Sequence, residues 1–539
     1  MKKYKHAFLI FLIVMIISIF IQNNAPASTA TVDTSEIHQT IEGFGASLAW
    51  WFNSLSTHYY RGEIYNYLFK ELGLDILRLR NIYGKEDYAM SVFEEIADSF
   101  YSLSDNEPKI MISSWSPPVD LKSNNNIVGG TLDTTASGEY VYGDFAQYWI
   151  DALDTFEEAG IVPDYISIQN EPDWGESHET CRFEPTETST YAGYDQALDS
   201  VYRRFQELSS PPKILAPEVL GIGYNHFQNY ANQFNHDHAD GYAYHLYHGG
   251  DGNVNPDAFN ENLSAIANSY SDKPIFQSEY DIGGWFNTVW LMHNCLVHGN
   301  VSGYFYWTIV STNLGSQAFV VLDGYQYILS QAYWGFRQYS KAIHHGWKRV
   351  GAEVDADSLL ISAFIGPEND ELSVVVINIS HESDSLDLSV PNFDISGANI
   401  IRSSDTEQCA LVSYYNGTKL NLPARSITTI STLEISPGSA GIKDKKDIDS
   451  NTVDCFLAQN HPNPFNRSTT IEYSISKESF VFLAIYDNLG RKIKTLVEEI
   501  KPSGKHTINI ELNELSSGIY FYRLETSGKT IQKKMLLIK

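Results

Sequence analysis

Short apolar runs recur between residues 41 and 310, each closing on a polar or aromatic residue. They are Ile41–Ala46, Ile76–Asn81, Lys109–Trp115, Tyr165–Glu171, Lys213–Glu218, Gly241–Tyr247, Pro274–Glu279 and Gly303–Val310. The segments between them, such as Ala146–Ala159, Tyr191–Leu208 and Asn260–Tyr270, repeat apolar positions at helical spacing with few breakers. Eight such alternations in about 250–300 residues predict an α/β fold, a (β/α)8 barrel. A doubly wound sheet is the competing class, but it usually opens on a glycine-rich phosphate loop, and this chain has none.

The pattern then changes to strand-like alternation alone. Trp347–Val354, Leu359–Ile365, Leu372–Ile379, Ser385–Val390, Asn399–Arg402 and Leu420–Ile435 predict an antiparallel β side domain, with Asn416-Gly417 as one of its turns. Ser436–Thr452, rich in Gly, Ser, Asp and Lys, reads as a linker. Beyond it, Thr470–Ile475, Phe480–Tyr486, His506–Leu512 and Ile519–Leu524 predict a small β-sandwich. At the other end, Lys2, Lys3 and Lys5 precede an apolar run from Ala7 to Ile21, followed by small residues. This is a secretory signal, with Ala25-x-Ala27 or Ser28-x-Ala30 as cleavage sites, and its apolar run is shorter than the ~20 residues of a spanning helix. The mature protein is expected outside any membrane.

Charge and composition narrow the partners. The chain has 37 Lys and Arg against 66 Asp and Glu, a formal charge of −29. Binding nucleic acid or an anionic membrane needs clustered cations, so neither is expected. The charge is uneven: 455–539 carries 12 Lys and Arg against 8 Asp and Glu, a net of +4, leaving −33 on residues 1–454. Cys181, Cys295, Cys409 and Cys455 lie far apart with no metal-binding spacing, and read as free or partly buried thiols. The 10 Trp, 34 Tyr and 27 Phe exceed an ordinary share, and flat aromatic faces suit sugar rings.

In a (β/α)8 barrel the reacting groups sit at the carboxyl ends of the strands. Here those ends hold Arg78, Arg80, Trp115, Asn170, Glu171, Glu218, His245, Tyr247, Glu279, Tyr280 and Trp307. This set offers no Ser–His–Asp triad and no metal cluster, and the chemistry implies no cofactor. It does offer two carboxyls on opposite sides of the barrel axis, Glu171 on the fourth strand and Glu279 on the seventh. Glycosidic bond hydrolysis needs such a pair, one to protonate the leaving oxygen and one to attack or to activate water. Trp115, Trp174, Tyr247, Tyr280 and Trp307 are expected to stack on sugars. Glu218 is either structural or a subsite residue, and His245 orients the nucleophile or a sugar hydroxyl. His344 and His345, past the barrel, read as structural.

The segments Gln39-Thr-Ile-Glu-Gly-Phe-Gly-Ala46, Trp115-Ser-Pro-Pro118, Ser167-Ile-Gln-Asn-Glu-Pro-Asp173 and Ala216-Pro-Glu218 resemble glycoside hydrolase family 30, over about residues 31–435. The resemblance implies retaining hydrolysis with Glu171 as acid/base and Glu279 as nucleophile. It also implies that Asn170 binds the sugar 2-hydroxyl and that Arg78 keeps the nucleophile ionised. An N-terminal strand from 31–40 would join the side domain, with Leu422-Pro-Ala-Arg-Ser-Ile-Thr428 as its closing strand. The motifs look most like the xylanase subgroup, many of whose members hold a glucuronate through an Arg after the eighth strand. This chain has no Lys or Arg from Pro274 to Phe336, so a neutral glycan, xylan without a strict need for glucuronate, is expected. The alternatives are an endo-β-1,6-glucanase or galactanase, an exo-acting glycosidase of the same family, and a non-catalytic polysaccharide-binding protein.

Asn460-His-Pro-Asn-Pro-Phe-Asn466, Ile485-Tyr-Asp-Asn-Leu-Gly490, Leu515-Ser-Ser-Gly-Ile-Tyr520 and Lys533-Lys-Met-Leu-Leu-Ile-Lys539 resemble the C-terminal sorting domain of the type IX secretion system. That resemblance implies the secretion machinery as a partner and a cell-surface or extracellular location; a carbohydrate-binding β-sandwich is the alternative for this segment. The expected division is a signal at 1–30, the barrel at 31–342 (with 31–40 given to the side domain), the side domain at 343–435, a linker at 436–454 and the sorting domain at 455–539.

Overall fold

A computed structural model describes residues 27–438, apart from 86–88, 106, 176–177, 250–254 and 325, together with most of 456–538. The chain divides into two compact units, residues 1–441 and 442–539. The expected signal segment up to residue 26, most of the expected linker and Cys455 lie outside the described residues.

The first unit begins with β1 (Ser28–Thr40) and then builds eight parallel strands. These are β2 (Gly43–Ser47), β3 (Ile76–Arg80), β4 (Lys109–Ser113), β5 (Tyr165–Ser167), β6 (Lys213–Gly221), β7 (Gly241–His248), β8 (Ile275–Glu279) and β9 (Val301–Tyr306). They pair in chain order, and β2 closes onto β9, so the sheet is a barrel. All eight predicted runs are strands, with ends shifted by a few residues.

Alternation along each strand decides what fills the barrel. Ile76, Met111, Tyr165, Leu215, Ala243, Phe276 and Phe305 form an apolar plug inside it. Gly45 belongs to this close packing, because a Cβ there would lie 2.6 Å from the Phe305 ring. Two residues further along the strands, the inward positions become Arg78, Ser113, Ser167 and His245, all fully buried. The residues between them face outward and bury against helices. In the helix Tyr142–Glu158, for instance, Phe145, Trp149, Ala152 and Phe156 recur at helical spacing on the covered face. Burying each large apolar side chain contributes roughly 1.5–3 kcal/mol.

After β9 comes a small sheet, β10 (Val310–Ser311), β11 (Val320–Asp323) and β12 (Gln326–Leu329). The side domain follows: β13 (Lys348–Val354), β14 (Leu359–Ile365), β15 (Leu372–Asn378), β16 (Asp384–Ser389), β17 (Asn399–Ser403), β18 (Ala410–Tyr414), β19 (Leu420–Leu422) and β20 (Ser426–Ser431). With β1 they form one nine-stranded sheet in the order β18-β17-β20-β15-β14-β13-β1-β16-β19. The pairing is antiparallel except where β1 runs parallel to β16, so the expected antiparallel domain contains one parallel pair. The expected Leu420–Ile435 strand is broken at Pro423–Arg425, where Arg425 has φ +50°. β15 explains how the domain joins the barrel. Its Leu372, Val374 and Val376 face a core of the side domain's own, with Val32 and Ile361, while Val375 and Ile377 join the large core that contains Trp334 and Tyr339.

β1 also bears on the leader peptide. Ser28 to Thr31 pair with Leu386 to Ser389, and Ala30 and Val32 are buried. Cleavage after Ala30 would remove most of that pairing, whereas cleavage after Ala27 spares it. N-terminal sequencing of the exported protein is therefore expected to begin at Ser28, and a start at Thr31 would contradict this.

The second unit contains a three-stranded and a four-stranded sheet. Ile471, Tyr473, Val481, Leu483, Tyr522, Leu524 and Met535 from both sheets share one apolar core, the arrangement of a sandwich. Three of its strands, Phe456–Leu457, Lys492–Lys501 and Thr530–Leu537, escape the sequence pattern. No helix among the described residues is long and apolar enough to cross a membrane.

Candidate active site

Arg78 stands at the centre of the barrel mouth. Ile76 points into the barrel, so Arg78 two residues on does too, and its guanidinium is fully buried. Its Nη1 donates to Glu279 Oε2 at 2.7 Å and its Nη2 to Asn170 Oδ1 at 2.7 Å and Glu218 Oε1 at 3.1 Å. Its Nε donates to Ser113 Oγ at 3.1 Å, and Trp115 covers its face at 4.6 Å. The fork geometry of Arg is what lets one side chain serve Glu279, Asn170 and Glu218 together and still reach Ser113.

Glu279 closes β8, and its other oxygen, Oε1, accepts the Tyr247 hydroxyl at 2.9 Å. Glu171 follows β5 in a left-handed conformation (φ +47°), and its Oε1 meets His245 Nδ1 at 2.9 Å. His178 Nε2 lies 3.7 Å from Glu171 Oε2. One oxygen of Glu171, one of Glu279 and one nitrogen of His245 all lie within 4.8 Å of one another. That spacing could also suit a cation, but Arg78 already supplies positive charge at the Glu279 edge, and like charges repel.

Burial raises the Glu171 carboxyl, but hydrogen bonds from His178 and His245 outweigh it and hold the group below the usual range. Burial also acts on Glu279, and with the charge of Glu171 it pushes that carboxyl up, against the pull of His245, Arg78 and Tyr247. His245 resists its own burial because Glu279, Glu171 and Glu218 surround it, and it is raised to about 9. Glu218, fully buried, is held at about 2 chiefly by Arg78. His245 thus holds a proton among three carboxyl groups, in contact with Glu171, and the groups titrate as a set.

A cavity of about 390 Å³ opens over the two carboxylates. Of the residues singled out in the sequence, Trp115, Glu171, Trp174, Tyr247, Glu279 and Trp307 line it. Tyr280 does not: it is 1% exposed and packs edge-on against Tyr247 and Phe259. Sugar stacking at Tyr280 is therefore corrected to a core role. Neighbouring strand-end residues point to opposite faces, so Glu279 toward the cleft turns Tyr280 away. His245 is likewise fully buried and contacts Glu171 rather than a cavity wall, so it cannot meet a sugar hydroxyl there. Trp50, His178, Leu220 and His248 also line the cavity and escaped the strand-end rule, Trp50 and His178 because they lie in loops, Leu220 and His248 because β6 and β7 run past their predicted ends. A second cavity of about 490 Å³ shares Trp50 and Trp307 with the first and continues along Trp51, Phe52, Asn53 and Ser54.

A closed eight-stranded barrel with two facing carboxylates at its mouth and a β side domain threaded by its N-terminal strand defines a carbohydrate-processing class of (β/α)8 proteins. The barrel and side domain are similar to those of glycoside hydrolase family 30, and the C-terminal part is a secretion sorting domain. A family 30 subfamily 8 xylanase from Clostridium acetobutylicum superposes with a TM-score of 0.59 at 26% identity, covering 75% of this chain and 99% of that one. A glucuronoxylanase from Bacillus subtilis is 24% identical over 421 residues, 75% of this chain and 91% of that protein. An endo-1,6-β-D-glucanase from Neurospora crassa is 29% identical over 163 residues, 25% of this chain, which spans only 34% of the glucanase's own length. Residues 460–539 match the secretion system C-terminal sorting domain, which indicates export across an outer membrane to the cell surface or beyond.

Proposed function

We propose that this protein is a retaining endo-β-1,4-xylanase that needs no glucuronate side chain. The observation that carries the retaining reading is the approach of Glu171 and Glu279 oxygens to within 4.8 Å. Retaining enzymes hold their carboxyls ~5–5.5 Å apart, whereas inverting ones leave ~6.5–9.5 Å for a water.

Glu279 is the nucleophile, oriented by Arg78 and Tyr247. Its carboxylate attacks the anomeric carbon as Glu171 gives a proton to the glycosidic oxygen; the C–O bond breaks and the leaving chain departs as an alcohol. Taken one carboxyl at a time, the upward push on Glu279 and the downward pull on Glu171 oppose these roles. The proton on His245 reconciles them. A glycan over Glu171 displaces the half-exposed His178 and water, which favours moving the proton from His245 onto Glu171, while Arg78 stays on Glu279. In the second step Glu171, now a base, takes a proton from water, which attacks the glycosyl ester and frees Glu279. Asn170 lines neither cavity, but with its Oδ1 tied to Arg78 its buried Nδ2 is left as a donor for a sugar 2-hydroxyl seated deep over Glu171.

The neutral substrate rests on the walls. No Lys or Arg is among the described residues lining either cavity, and three Trp (50, 51 and 307) bound the second one. A uronate there would lose water without gaining a charge partner. Xylan is preferred over β-1,6-glucan because, over the same three-quarters of this chain, the xylanases are 24–26% identical and a solved endo-β-1,6-glucanase is 17% identical. The identity to the fungal glucanase keeps the second reading open to test. Digestion of linear xylan, glucuronoxylan, β-1,6-glucan and β-1,6-galactan with product sizing decides between them. The expected result is internal cleavage of both xylans, with undecorated xylo-oligosaccharides cut within about tenfold of decorated ones. Cleavage confined to glucuronate-bearing xylan, or to a β-1,6 glycan, would overturn the assignment.

A further inference from the structure

Glu218 is a third carboxylate of this centre, and it lines neither cavity. It is fully buried and left-handed (φ +58°), and its carbonyl accepts the backbone N–H of Glu171 at 3.0 Å. Non-glycine residues hold that conformation only where the surroundings dictate it. Glu218 and Glu171 share the conformation and are linked through that hydrogen bond. The Glu218 Oε1 receives Arg78 Nη2 at 3.1 Å and Ser113 Oγ at 3.2 Å, and His245 Nε2 lies 3.7 Å away. Arg78 in turn holds Glu279, and His245 holds Glu171.

We propose that Glu218 is a positioning residue that clamps Arg78 toward Glu279 and His245 toward Glu171, so that its charge governs where the centre keeps its proton. The proposal rests on Glu171 and Glu279 being the catalytic pair. It goes beyond that pair because Glu218 touches neither the cleft nor the reacting atoms.

The charged and titratable groups around it come from every side of the mouth. Arg78 comes from β3, His245 and Tyr247 from β7, Glu279 from β8, and Glu171 with His178 from the loop after β5. The Tyr194 hydroxyl, from the helix Tyr194–Phe205, also feels the Glu218 charge. Removing one negative charge from this group makes every protonated form nearby less favourable. The Glu171–His245 pair loses its proton more readily. Arg78, relieved of one acceptor, bears more strongly on Glu279 and helps it ionise. Both limbs of the pH–activity profile then move the same way, to lower pH.

The test is Glu218→Gln in the full chain, with Glu218→Asp beside it. Expected for the Gln variant is a kcat about 10²-fold lower on xylan with KM little changed, since misplacing a catalytic group costs about that much. Both pH limbs should shift down by about one unit, and the Asp variant should restore them toward the parent. A histidine-selective NMR titration should show His245 losing its proton at lower pH in Glu218→Gln, a readout independent of any glycan. A folded Glu218→Gln with parental limbs and kcat would overturn the proposal. So would a loss of activity that tracks unfolding alone, with the remaining folded enzyme keeping the parental profile. If the parent chain cuts none of the glycans, the functional reading fails, and the NMR titration still decides the role of Glu218.

Discussion

Glu171→Gln and Glu279→Gln are each expected to lower kcat on xylan by about 10³-fold or more while the protein stays folded. Glutamine keeps the shape of each side chain but can neither lend a proton nor attack carbon. The two losses should differ in kind. A substrate with a good leaving group needs little help from an acid, so Glu171→Gln should regain much of its first step on an aryl glycoside, and Glu279→Gln should not. Azide separates the roles further. In Glu279→Ala it can occupy the vacated face and give a glycosyl azide of inverted configuration. In Glu171→Ala it can replace water in the second step and give the retained one. Opposite products would exchange the two roles, and parental activity in either Gln variant would sink the pair altogether.

The second large effect is expected at Arg78. Arg78→Met should abolish measurable turnover and also destabilise the fold, by about 3–5 kcal/mol in urea unfolding. The reason is what it leaves behind. Glu218 and Glu279 are both buried, and each has Arg78 within 3.1 Å. Breaking a buried pair from one side strands the other charge in low dielectric, which costs far more than the pair contributes net. Arg78→Lys should recover only part of either loss, because a single ammonium cannot serve Glu279, Asn170 and Glu218 together. Parental stability and turnover in Arg78→Lys would show that charge alone, rather than the three-way fork, is what the site requires.

The barrel was legible because its strands and helices obey different periods, and the alternation placed Arg78 and Glu279 at the mouth. β18 was not, because Ala410–Tyr414 is short and carries one polar residue, Ser413, so it shows no apolar–polar alternation. The cleft walls at Trp50 and His178 depend on loop paths that no periodicity encodes. The least legible feature was electrostatic. His245 meets Glu171 from 74 positions further along the chain, and Glu218 binds Arg78 from 140 away. Each residue can be assigned to a strand end from sequence alone. Which partner it finds depends on the bulges where β6 and β7 lose register, since these rotate Glu218 and His245 relative to their neighbours.

The N-terminal strand has a temporal consequence. Thr29 hydrogen-bonds Asp355, 326 positions later, and Ser28 hydrogen-bonds Asp384 further still. Ser28 and Thr29 must therefore wait for most of the first unit before they can dock. Contacts of such long sequence separation slow folding, because loop closure precedes any gain from pairing. The N-terminal strand is thus a late-closing clasp, completed only after the barrel and half of the side domain exist.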